Sequence, residues 1–458
     1  MRRTRRALVN FSFYDQRAIE KTLEEMAARG WMVRKVGNLF WTYEEMEPQR
    51  LRFAVTYFPG ASEFDPRPSE KQLDKEAFCA QDGWQLVLRW DAMQIFCTHR
   101  EDAVPIDTDP VPQVENIYRI MKKKVLLVQL FTAALMVCQL YLQYGQLRRD
   151  PADYLSSPFY LFSLPLWVLL FLAAAHEVWV CFRWHARAKR AAEDGVFLPV
   201  RSSWWWNWGL VFLSALFLVL AVSGSGLRLL YVACWLVMMG AIYALASRLM
   251  GWLKKQGAPR LVNLGVSSLL VMVLTFAGVA GIVAATLGGW LPWREDSRPV
   301  GQYDWDGLTM DIYDDPLPLA VEDLAEVDAR WSRQARVQES FLVRYGEYRQ
   351  DLLYGQEIRG YELSYEIIDV KLPLLYDFLK ERLLETHQDE VYDDFVFVDH
   401  YEPVSPDPWG AEEAWQLHWS EGVLNTYLVC WESRIAQIKF YWEPTPEQLR
   451  GAGERLRP

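Results

Sequence analysis

The sequence predicts a multi-domain membrane protein: an N-terminal α+β domain, a five-helix transmembrane bundle and a C-terminal α+β domain. Three observations predict it. Residues 121–289 are strongly apolar, although the mean hydropathy of the whole chain is close to zero. Charge divides at the same places: net −2 over residues 1–120, +10 over 121–289 and −19 over 290–458, which make up the −11 of the chain. The polar flanks carry the short alternations and capped amphipathic stretches of folded domains, and 458 residues suffice for two or three of them.

The N-terminal domain, 1–120, reads as one motif used twice. ALVNFSFY (7–14) is a strand. Asp15 is an N-cap, and Ile19, Leu23, Met26 and Ala27 share one face of the helix that follows. Gly30 suits the left-handed position that ends a helix. Trp31–Lys35 and Leu39–Tyr43 are strands around a Gly37–Asn38 turn. RLRFAVTYF (50–58) starts the second pass. Ser69 caps a helix expected to turn Leu73, Ala77 and Phe78 inward, Gly83 ends it, and Trp84–Trp90 and Met93–His99 form the strand pair. The order is a duplicated βαββ, lengthened in the second copy by PGASEFDPRP (59–68). A strand pair with one helix cannot close a core. Two copies are therefore expected to set their helices on one side of a joined sheet, with Trp31 and Trp84 at equivalent positions. Core packing is the common use of such indoles, and an aromatic groove between the copies is the functional alternative.

The same residues carry a resemblance. FSFYDQRAIEKTLEEMAARGWMV (11–33), followed by NLFWTYEEMEP (38–48), resembles the N-terminal domain of an uncharacterised bacterial integral membrane protein family. Genes of that family often lie beside those of PadR-type transcriptional regulators. The resemblance covers roughly residues 8–120 and the multi-span layout behind them. It implies a regulated membrane protein, and it brings no catalytic residues to this chain.

The middle region, 121–289, holds five runs near the roughly 20 residues a helix needs to cross a bilayer. They are 125–144, 160–182, 208–224, 227–250 and 264–289. Lys and Arg cluster before the first run (Arg119, Lys122, Lys123, Lys124), after the second (Arg183, Arg187, Lys189, Arg190, Arg201) and at the end of the fourth (Arg248, Lys254, Lys255, Arg260). The opposite side has Arg148, Arg149, Arg228, Arg294 and Arg298. The richer side is expected in the cytoplasm of a bacterial cell, its plasma membrane holding the spans. An odd number of spans then puts the N-terminus inside and the C-terminus outside. Trp204, Trp205, Trp206, Trp208, Trp252, Trp290 and Trp293 sit where headgroups are expected. No long apolar run follows MRRTRR, so the first span is expected to act as an uncleaved anchor.

Polar groups in the spans are the candidate functional residues. Gln129, Thr132, Gln139 and Gln143 share one face of the first span, which reads as interhelical hydrogen bonding or as a polar path. His176 and Glu177 are adjacent titratable groups inside the second, where a carboxylate is a functional candidate. The second histidine of a zinc-protease signature is missing after them. Gly278, Gly281, Ala285 and Gly288 form a small-residue packing stripe on the fifth. The six cysteines form no disulfide framework, and Cys430 is alone in the outer domain.

The outer domain, 290–458, reads as helix over 320–331, strands over 339–352 and 360–370, and helix over 372–385 with Leu375, Phe378, Leu379 and Leu383 inward. Strands follow over 414–419, 426–433 and 434–442, and Thr445–Pro446 start a last helix. Its charge repels nucleic acid and anionic lipid and attracts cations or basic peptides. Asp389, Glu390, Asp393, Asp394, Asp399 and His400 are its densest oxygen cluster, but they lack the glycine of an EF-hand loop, and no metal or cofactor is expected. Alternating strands could set His418 and Cys430 side by side, but no nucleophilic dyad is expected of them. No catalytic motif appears anywhere in the chain. The expected function is membrane signalling or regulation: a bilayer-embedded, non-enzymatic chain with a protein partner inside and a cationic ligand or peptide outside. The alternatives are a transporter or transport accessory subunit, using the glutamine face with His176 and Glu177, and an envelope-acting membrane enzyme.

Overall fold

The computed structural model describes residues 3–8, 15–37, 40–199, 204–222, 226–287, 299–305, 308–353, 360–385, 388–392, 395–398, 400–419 and 422–458. The chain divides into two compact units. One takes Met1–Leu140, Leu166–Leu216 and Tyr231–Ala285, the other Tyr141–Pro165, Phe217–Leu230 and Thr286–Pro458.

The first unit begins with β1 (Thr4–Leu8), α1 (Gln16–Ala28), β2 (Trp31–Lys35) and β3 (Phe40–Glu45). It continues with β4 (Arg52–Tyr57), α2 (Glu70–Gln81), β5 (Gln85–Trp90) and β6 (Met93–Thr98). The strands form two antiparallel sheets, β1-β3-β2 and β4-β6-β5. The expected joined sheet is not formed. The outer edge of β4 faces α1, where Glu20 accepts the Val55 amide at 2.9 Å and Glu24 the Phe53 amide at 3.3 Å. An edge whose outward N–H groups are met by side chains offers nothing for a further strand to pair with.

Helix α1 follows its sequence. Asp15 accepts the Ala18 amide, and Ile19, Leu23, Met26 and Ala27 are buried. Gly30 ends the turn at φ +82°, where an added Cβ would stand 2.8 Å from the Met46 carbonyl oxygen. Gly83, at φ +87°, would meet only the Arg100 side chain. Gly30→Ala is therefore expected to cost about 1–3 kcal/mol of left-handed strain plus a backbone clash. Gly83→Ala is expected to cost the strain alone, and the two melting curves check the order.

Helix α2 is rotated relative to the expectation. Gln72 and Cys79 are its buried residues, while Leu73 is 46% and Phe78 66% exposed, and Ala77 is exposed as well. The cause lies in the sheet below it. Thr56 and Gln94 pair across β4 and β6, and Gln94 Nε2 reaches Glu76 of α2 at 2.7 Å, the carboxylate that also holds Arg89. A polar sheet face draws the polar side of the helix onto it, because a buried polar group needs a partner.

One continuous helix then runs through α3 (Pro110–Met121), a π-helical turn (Lys122–Leu126) and α4 (Leu127–Arg149). It is followed by α5 (Pro151–Ser156), α6 (Pro158–Glu193), α7 (Trp204–Val222), α8 (Gly226–Lys255) and α9 (Arg260–Leu287). Among the described residues four helices are long and apolar enough to cross a membrane: Pro110–Arg149, Pro158–Glu193, Leu229–Lys255 and Arg260–Ala285. Five spans were expected. The expected third one yields α7, whose apolar described stretch, Gly209–Ala221, is shorter than a crossing requires. Residues 223–225 and 288–298, with Trp290, Trp293, Gly288 and the end of the expected last span, lie outside the described residues. The long helices present their apolar side chains outward: Val237 is 73%, Phe276 70% and Leu261 79% exposed. Surface of that extent is stable in lipid and not in water, as in a multi-pass membrane protein. On α9, a Cβ at Gly278 would run into Met238 of α8, so this part of the small-residue stripe is a packing contact.

The second unit holds a hairpin, β7 (Gly301–Trp305) and β8 (Leu308–Ile312), then β9 (Trp331–Glu339), β10 (Val343–Leu352), β11 (Leu363–Val370) and α10 (Tyr376–Leu384). A second hairpin, β12 (Gln388–Tyr392) and β13 (Phe395–Val398), precedes β14 (His400–Val404), β15 (Glu413–Trp419), β16 (Gly422–Cys430), β17 (Arg434–Phe440) and α11 (Pro446–Leu456). Seven strands make one antiparallel sheet, β14-β15-β16-β17-β11-β10-β9. One face packs Tyr365, Ile438 and Phe440 with Ala452 and Leu456 of α11. The other packs Tyr345, Ile368 and Leu428 with Tyr154 and Leu155 of α5 and Leu379 of α10. Thr445 and Gln448 form the capping box that starts α11.

Two expectations fail here. Residues 320–331 hold only one 3-10 turn, Val321–Asp323. Leu319 and Val321, two residues apart, are both fully buried, and their amides donate to the Tyr365 hydroxyl and to Gln350. Those long-range partners hold the backbone extended, and Trp331 then enters β9. On α10, Leu379 is buried as expected while Phe378 is exposed.

Candidate functional site

The strongest polar constellation is a joint where the N-terminal sheets meet the helix ends of the first unit. It is built on the linker between β4 and α2. Asp91 sits in the β5–β6 turn at φ 55°, the one described non-glycine residue in the left-handed region. Its carboxylate accepts the Glu63 amide at 3.2 Å and pairs with Lys124, which stands on the π-helical turn at the start of α4. Such turns recur at functional sites. Lys254, at the end of α8, donates to the Glu63 carbonyl at 3.4 Å, and Arg260, at the start of α9, to the Gly60 carbonyl at 3.3 Å. Asn263 is fully buried: its Nδ2 spans the Phe64 and Met250 carbonyls at 3.3 and 3.4 Å, and its Oδ1 accepts from Ser267. One ten-residue linker thus ties the β5–β6 turn to the ends of α8 and α9, while Asp91 of that turn holds the start of α4 directly. The pairing of residues 60–64 with 254–263 leaves no local mark in the sequence, and only the unusual length of the second copy pointed to it.

Removing Asn263 takes two carbonyl contacts from this joint, each worth about 1 kcal/mol. Asn263→Ala is expected to raise amide exchange in residues 58–68 about tenfold or more, with the strands of the first unit unchanged, as hydrogen-exchange mass spectrometry would record.

The residues singled out from sequence fall elsewhere. Gln143 is buried and donates to Ser163 of α6 at 2.7 Å, and Tyr154 donates back to it at 3.3 Å. Its use is interhelical bonding. Gln129 and Gln139 are half-buried on the same helix, outside that group. His176 and Glu177 are half-buried on α6, with the His176 ring 6.2 Å from Trp179. Trp31 is half-buried against the main core of the first unit, whereas Trp84 is buried in a separate cluster and donates to the Val104 carbonyl at 2.8 Å. The two indoles are therefore not equivalent. His418 lies opposite His400 and Val423, while Cys430 faces Glu413 and Ile435, so the two are not neighbours across strands. Burial pushes the Cys430 thiol up to about 12, which leaves no thiolate at neutral pH. Asp393, Asp394 and Asp399 lie outside the described residues. Among the described residues no three His, Cys, Asp or Glu side chains are placed to hold a metal.

Acidity in the second unit concentrates instead on the face of its sheet beneath α5. Glu366 of β11 stands opposite Glu347 of β10, with Asp150 and Asp153 nearby. Arg336 of β9 reaches Asp153 at 2.9 Å and Glu347 at 3.7 Å. Burial first, then Asp150 and Glu347, push the Glu366 carboxyl up to about 7. Nothing in the sequence of β11 alone marks this group, because the acids that surround it come from the α5 segment and from β10.

No curated protein and no solved structure matches the chain. Residues 15–129, from the cap of α1 past the π-helical turn and so including Asp91, Lys124 and the linker, match the family described as protein of unknown function, DUF2812.

Proposed function

We propose that the protein is a membrane signalling or regulatory protein that couples an acidic outer ligand- or partner-binding domain to a cytoplasmic interaction domain. In this reading the chain crosses a bacterial plasma membrane five times, with α7 as the third span. The two βαββ passes are copies of one unit, and their outer surfaces bind a protein partner. The basic residues at the ends of α6 and α8 support the cytoplasmic placement of the N-terminal domain. The carrying observation is the joint. A movement of α4, α8 or α9 at their ends pulls on Lys124, Lys254, Arg260 or Asn263, and through them on the linker and the β5–β6 turn. Gln143 is engaged with Ser163 and Tyr154, which favours this reading over transport along the glutamine face.

In-cell crosslinking from residues 1–120 tests it. Deleting residues 300–458 is expected to change the set of proteins captured, and adding Asp91→Ala with Asn263→Ala is expected to erase that change. An identical set from the full-length and shortened chains contradicts the coupling.

A further inference from the structure

A cavity of about 250 Å³ opens between α1 and the outer edge of β4. Its apolar walls include Phe53, Trp84, Ile106 and Phe197. Its polar groups form a chain with one direction. Gln113 donates to Gln16 at 3.0 Å, Gln16 donates to Glu20 Oε1 at 3.2 Å, and the Val55 amide donates to the same oxygen at 2.9 Å. All three donors serve the chain leading to Oε1, and no hydrogen bond from a described residue reaches Oε2. Thr56 also lines the cavity, is 1% exposed, and its hydroxyl has no partner among the described residues. The guanidinium of Arg52 is turned onto the carbonyls of Glu101 and Ala103. Arg17 stands at the exposed rim. Asp107, the other carboxylate of the wall, is 3.5 Å from Lys75.

What the described hydrogen bonds leave open is a positive donor on Glu20 Oε2. Burial pushes the Glu20 carboxyl up to about 7, against the opposing pull of the Val55 amide and Gln16. A positive donor at Oε2 would restore the ionised form. We propose that this cavity is a binding site for a small organic cation, a primary amine or guanidine carried on a flat apolar body. The charge pairs with Glu20, and the body lies against Trp84, Phe53 and Phe197. The inference goes beyond the coupling reading and stands without it, since binding is read at the cavity and not across the membrane.

Isothermal titration of the full-length protein in detergent micelles, with benzylamine, benzyl alcohol and benzoate as probes of matched shape, tests it. Benzylamine is expected to saturate one site, with the alcohol and the acid binding at least tenfold more weakly, the size of one hydrogen bond to a charged group. Glu20→Gln is expected to remove that preference. Gln113→Trp, a filling change at a half-buried position away from the carboxylate, is expected to abolish binding while the melting temperature is kept. Equal binding of the three probes, preference for benzoate, unchanged benzylamine binding in either variant, or no benzylamine binding to the parent chain overturns the proposal.

Discussion

Gly453→Ala is expected to destabilise the second unit by about 3 kcal/mol or more. Helix α11 crosses the 3-10 turn Asp407–Trp409 so closely that a Cβ at Gly453 would lie 2.4 Å from the Trp409 carbonyl oxygen and 2.7 Å from its Cα. These are backbone atoms, and they cannot rotate away as a side chain end does. The helix must lift, which uncovers Ala452 and Leu456, both fully buried. Overpacking of this kind costs about 1–3 kcal/mol when side chains can yield, and more when they cannot. For a domain of this size the loss corresponds to a fall in melting temperature of about 6–12 °C. Gly451→Ala is the control, since its Cβ would meet only the Leu324 side chain at 3.3 Å. It is expected to change the melting temperature by no more than a few degrees. A small and equal effect of both substitutions would show that α11 is not seated on Trp409.

The second large effect is a pH dependence carried by Glu366. The groups facing it are Asp150 and Asp153 of the α5 segment, Glu347 and Tyr345 of β10, Arg336 of β9 and Gln437 of β17. Burial and the neighbouring acids raise its carboxyl from 4.5 in the unfolded chain to about 7 in the fold. The folded state therefore holds the proton more tightly. The stabilisation is fully present below pH 4.5 and is lost as pH rises through 7. At 1.36 kcal/mol per pH unit the contribution is on the order of 3 kcal/mol. Glu366→Gln keeps the shape without the titration. The parent chain is expected to melt progressively below this variant as pH goes from 5 to 8, with the two close together at pH 5. A parallel course of the two melting curves across that window would show that Glu366 is not buried among these acids.

How much of this was legible depends on how local the cause is. The buried face of α1, its Asp15 cap and its Gly30 stop follow from residues within one or two turns of each other, and they stand as the sequence indicates. So does the start of α11 at Thr445 and Pro446. The apolar helices are legible because lipid demands length and apolarity of each helix separately. Helix α2 misleads because an apolar face is taken to point inward. Here Gln94, nearly 20 residues on, makes the polar face the buried one. The stretch 320–331 misleads in the same way, since Tyr365 and Gln350 decide its backbone. The joint and the cavity rest on pairs such as Phe64 with Asn263 and Gln16 with Gln113. No spacing within either segment announces its partner.

The most direct test of the account is the side of the membrane on which each folded unit stands. Single cysteines introduced at the exposed Glu101 and Glu447 would be challenged with a membrane-impermeant maleimide on intact cells. The account predicts labelling of Glu447→Cys at once, and of Glu101→Cys only after the membrane is opened. Labelling of both positions on intact cells, or of Glu101→Cys alone, would contradict it.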